Sequence, residues 1–113
     1  MTTIATAEKA ALDERAERQL RNMRALLGPI YDNRRALSIV MEQKVERWSE
    51  DAAAHNDRHG AAALQAARRA HAAALAYRNT FSEEEESEAR NLLCQAMEDL
   101  CRQETAADAA RAC

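Results

Sequence analysis

The chain has 113 residues, a net charge of −3, 47% hydrophobic residues, two Gly and one Pro. Over half of the hydrophobic residues are Ala, while Leu, Ile, Val and Phe together number sixteen. So small a net charge and so few breakers argue against disorder, and the surplus of strong helix formers specifies an all-α chain with a thin, Ala-lined core.

The length is that of a single domain, 1–113. Burial at ~25 cal/mol per Å² from so few large side chains must offset ~1.5 kcal/mol of ordering entropy per residue. Self-association, or a partner that covers a helix face, is therefore expected. No run approaches the ~20 apolar residues of a membrane span. The start, Met1-Thr2-Thr3-Ile4, has neither the basic residues nor the apolar block of a secretion signal. A cytoplasmic location without a membrane partner follows as the expectation.

In chain order, Leu12, Ala16, Leu20, Met23 and Leu27 form one apolar stripe that ends at Gly28, and predict a helix over about 7–27. Pro29 suits the first position of the next helix, expected over about 30–55. Its stripe, Leu37, Met41, Val45, Trp48, Ala52 and His55, steps by three and four and contains the only Trp. Asn56-Asp57-Arg58-His59-Gly60 is the clearest break, with Asp57 able to cap a third helix over about 61–79. There Ala63, Ala67, Ala70, Ala74, Tyr77 and Phe81 keep heptad spacing with small residues at the seam. Ser82 followed by Glu85 is a capping box that opens a fourth helix over about 83–110. Its stripe is Ala89, Leu93, Ala96, Leu100, Ala107 and Ala110, widened by Cys94, Met97 and Cys101, and order is expected to fade beyond Glu104. Connections this short make either an antiparallel four-helix bundle or a pair of helical hairpins with Ala-rich, coiled-coil-like seams, completed by dimerisation.

Charge is unevenly placed. Residues 57–81 carry four Arg against one Asp, and residues 82–113 carry three Arg against nine acids. Glu83, Glu84, Glu85, Glu86 and Glu88 sit where the helix dipole favours negative charge. They could also steer a partner with a basic or nucleic-acid-binding surface. Tyr31, Trp48 and Tyr77 are the aromatic anchors such an interface could use, although aromatics at this spacing are more often core.

Arg15, Arg18, Arg21, Arg24, Arg34 and Arg35 are the alternative, a nucleic-acid surface. The first four spread over half a helix circumference with Glu14 and Glu17 between them, which weakens that reading. His55 and His59 have the four-residue spacing of a helical metal pair, with His71 a conceivable third ligand, but the metalloprotease glutamate is replaced by Asn56. Cys94 and Cys101, seven apart on one helix, lie ~10.5 Å apart, beyond the ~7 Å limit for a disulfide; they read as seam residues, and Cys113 as a terminal thiol. Only Gly28 and Gly60 are present, so a glycine-rich phosphate loop is missing. The expectation is a non-enzymatic, cofactor-free protein that binds another protein through a helix face and an acidic helix start: an adaptor, assembly factor, chaperone or inhibitor. A metal or redox module is the third reading.

Overall fold

The computed structural model describes residues 31–112 together with Glu14, Glu17, Arg18 and residues 20–22, the side chains of residues 31–33 excepted. The described residues are helices and tight turns: α1 (Tyr31–His55), α2 (Arg58–Arg78) and α3 (Glu83–Ala112). Helical backbone also occurs at Glu14, Glu17, Arg18 and residues 20–22, and Leu20 packs half-buried against the core. The remainder of the expected helix over 7–27, and the turn at Gly28-Pro29, lie outside the described residues.

The α1–α2 turn is two residues long and each has a conformational reason. Asn56 takes φ 47°, the left-handed conformation that closes a helix and that Asn tolerates, and its N–H reaches the Ala52 carbonyl at 2.9 Å. Asp57 is extended, and its carboxylate accepts from the Gly60 N–H at 2.9 Å. Capped this way, α2 starts at Arg58, directly after the expected cap, and takes Gly60 into its first turn. The helix ends where the Asn79 N–H is shared between the Leu75 and Ala76 carbonyls, both at 3.2 Å, and the Thr80 hydroxyl donates to the Tyr77 carbonyl at 2.9 Å.

Both turns reverse the chain, so α1 and α3 run parallel on either side of an antiparallel α2. The packing is large on small. Ala63, Ala66, Ala67, Ala70 and Ala74 of α2 are fully buried, and the bulk comes from Leu37, Met41 and Trp48 of α1 and Leu93, Met97 and Leu100 of α3. An Ala seam lets the backbones approach closely. Of the expected α2 stripe, Ala63, Ala67, Ala70, Ala74 and Tyr77 are buried, whereas Phe81 is 96% exposed. α3 does not fade after Glu104; it continues to Ala112, because Ala107 is buried and Arg111 is anchored to another turn. No helix among the described residues is long and apolar enough to cross a membrane.

Candidate interaction site

The start of α3 is the feature that the sequence marks most strongly. Ser82 Oγ accepts from the Glu85 N–H at 3.2 Å. The reciprocal arm of the capping box is displaced by one residue, since Glu85 Oε2 accepts from the Phe81 N–H, also at 3.2 Å. Of the acidic cluster, Glu83, Glu84, Glu85 and Glu88 are exposed, while Glu86 is half-buried. Glu86 is a brace between elements: Arg34 of α1 reaches it at 3.1 Å, and Arg90, one turn on, at 2.6 Å. Arg34 also lies over the Tyr77 ring, 4.8 Å from its centroid, and donates to the Thr80 hydroxyl at 3.2 Å. Hydrogen bonding to Tyr77 and then to Glu86 raises the Arg90 pKa above the ordinary arginine value. Four glutamates thus face outward on a turn held in place by a fifth.

Two apolar side chains stand beside them. Phe81 occupies the position before the N-cap, where an apolar residue normally packs against the fourth residue of the helix. That residue is Glu86, already committed to two arginines, so Phe81 has no apolar partner there. Leu92 is 56% exposed and lines a shallow open groove between the end of α2 and the first turns of α3, with Ala76, Ala89, Glu85 and Glu88.

The other expected site residues are placed differently. Trp48 and Tyr77 are fully buried and present no surface in this chain; the Tyr31 side chain lies outside the described residues. Trp48 donates its indole N–H to Glu104 at 2.8 Å, and Lys44 and Arg47 meet the same carboxylate oxygen at 3.0 and 3.4 Å. Of the arginine set, Arg18, Arg21 and Arg35 are exposed, Arg34 is held against Glu86 and Tyr77, and Arg15 and Arg24 lie outside the described residues. His55 ends α1, 4.0 Å from Asp51, whereas His59 belongs to α2, so the pair is split by the turn instead of sharing one helix face. Among the described residues, no three His, Cys, Asp or Glu side chains gather into a group that could hold a metal ion. Cys101 is buried and Cys94 half-buried.

Two structural anchors escaped the periodicity. Glu104 is 2% exposed, yet the stripe of α3 can be drawn through Gln103 just as well. The usable signal was Trp48, because a buried indole N–H needs an acceptor. Arg111 spans to Asp51 at 2.6 and 3.0 Å and to Asp57 at 2.7 and 3.0 Å. Its hydrogen bonds hold the carboxyls of both aspartates below the usual carboxylate range, and theirs raise its own pKa. Nothing local in the sequence reports this long-range clasp.

Comparison with family models, with curated proteins and with solved structures finds no match to the chain.

Proposed function

We propose that this is a small non-enzymatic interaction protein that docks on another protein through the end of the molecule formed by the α2–α3 turn. The observation that carries the reading is the combination at that turn: Phe81, 96% exposed, beside the exposed Glu83, Glu84, Glu85 and Glu88. An acidic end with an apolar side chain at its tip suits a partner with a basic surface, including one that otherwise holds nucleic-acid phosphates, which the protein would block. The glutamates steer the encounter and Phe81 supplies buried area on docking. The thin core and the partly packed outer faces support self-association as well, with a second copy or the helical segment around Leu20 completing a bundle.

Affinity capture from native lysate, split into nuclease-treated and untreated halves, tests the reading. A stoichiometric protein partner is expected to survive nuclease and to be lost when Glu83, Glu84, Glu85 and Glu88 are all replaced by Gln. Recovery that is indifferent to those replacements and to salt would overturn it. Recovery that vanishes with nuclease would instead move the binding surface to Arg18, Arg21 and Arg35.

A further inference from the structure

The groove beside the acidic turn has a chemistry that selects its occupant. Glu85, Glu88, Ala89 and Leu92 recur at three- and four-residue steps and so share one face of α3, and α2 contributes Ala76 opposite them. From Glu85 to Leu92 this face runs ~10.5 Å, two helical turns. Seven residues away along each helix, Arg69 and Asp99 are joined at 3.2 Å by an ion pair. What remains open is a small apolar surface of two alanines and a leucine, with carboxylates along it and Asn79 and Thr80 at its outer end.

We propose that this groove takes an amphipathic helix of a partner protein, with an apolar ridge against Ala76, Ala89 and Leu92 and Lys or Arg side chains reaching Glu85 and Glu88. The inference rests on the reading of this end as the docking end, and goes beyond it by specifying what enters. Three physical arguments select the class. The alanines allow close approach of another helix, as the same residue type does inside the molecule. An extended peptide would find no sheet edge here to add to, whereas a helix needs none. The carboxylates repel nucleic-acid phosphates and other acidic segments while pairing with a basic flank.

The test is a titration of the isotope-labelled full chain, followed by amide chemical shifts, with three synthetic peptides. One carries Leu on one helical face and Lys on the other, the second has Glu in place of Lys, and the third scrambles the first so that no apolar face forms. Only the first is expected to shift Ala76, Ala89 and Leu92 saturably, with an affinity that falls as salt rises. Leu92→Asp, at an exposed position that leaves the fold intact, should weaken it by roughly tenfold or more. The double change Glu85→Lys and Glu88→Lys should reverse the preference toward the acidic peptide. Equal binding of all three peptides, or shifts confined to the face of α1 around Ile39, which is 44% exposed, would overturn the proposal. The two readings fail separately. A lysate partner lost on replacing the four glutamates but kept by Leu92→Asp refutes the groove and leaves the docking end standing. A groove that takes the basic peptide while the lysate partner ignores the glutamates refutes the docking end.

Discussion

The two turns of the molecule are built from similar parts and end up with opposite characters. At the α1–α2 turn, acids are drawn inward: Asp57 caps α2, Asp51 faces it from α1, and Arg111 from the last turn of α3 holds both. Gly60 is buried beside Asp51, Asp57 and Arg111. At the α2–α3 turn Ser82 is the cap, and only Glu86 of the acids following it is gathered in, by Arg34 and Arg90. The difference is supply of cations. An acid at a helix start is drawn in when another element brings an arginine within reach, as Arg34 of α1 does for Glu86. Four of the glutamates stay in solvent, with Phe81 among them. The closed end fastens three helices, and the open end leaves Phe81 and four glutamates exposed.

Trp48→Ala empties the largest buried site and removes the donor to Glu104; an unfolding free energy about 3–5 kcal/mol lower is expected in urea titration. Glu104→Leu leaves the indole N–H without its acceptor and should cost about 1–3 kcal/mol. Glu104→Gln should cost less, because an amide oxygen can still accept and because Lys44 and Arg47, 20% and 45% exposed, can turn to solvent. Equal losses for Leu and Gln would show that the indole hydrogen bond is unimportant.

At the closed end the expected signature is pH dependence. The Asp51 and Asp57 carboxyls titrate below their ordinary range in the folded chain. Below about pH 4 the unfolded chain therefore takes up protons that the folded chain does not. The stability they contribute is complete above that pH and is lost as the pH falls. Arg111→Met should lower the thermal midpoint at neutral pH and flatten this acid limb; an unchanged acid limb would remove the clasp from the account.

Gly60 sharpens the point. A Cβ there would come 2.6 Å from Asp51 Oδ1, an atom that Arg111 holds in place. Gly60→Ala should lose stability alone and gain up to about 1 kcal/mol of helix propensity when Asp51 is also Ala, less what the remaining contacts of the Cβ with Arg111 Nη2 at 3.2 Å and Asp57 Oδ1 at 3.3 Å cost. Additive behaviour of the two changes in urea titration would contradict the packing described.

The smallest expected effect on stability is at the open end. Replacing each of Glu83, Glu84, Glu85 and Glu88 by Gln removes a dipole contact at an exposed site, worth about 0.5 kcal/mol or less, and the Gln oxygen at 85 can still accept from the Phe81 N–H. A larger loss would make the acidic turn a structural cap and nothing more.

The α-helical class and the three described helices were legible in the sequence because Ala-rich stripes, caps and breakers all agreed. Leu37, Met41, Trp48, Leu93 and Leu100 were readable as core for the same reason. Phe81 was misplaced because heptad counting was carried one step past the break at Asn79, although a cap at Ser82 rules out a helical seam at the residue before it. Glu104 and Arg111 were illegible for another reason: each acts across more than fifty residues, and period and spacing see only neighbours on one helix. Within the candidate site, the acids were evident but their division was not. That Glu86 turns inward and the other four outward depends on where Arg34 lies, which only the packing of α1 decides.

The central claim is that the open end docks and the closed end only fastens. The most direct measurement compares the protein partner recovered from nuclease-treated lysate by the native chain, by the Glu83, Glu84, Glu85 and Glu88 to Gln variant, and by Arg111→Met, at a temperature where all three are folded. The account predicts loss of the partner from the glutamate variant and full recovery by Arg111→Met. Loss from Arg111→Met with retention by the glutamate variant would contradict it, and would place the interaction at the end of the molecule described here as closed.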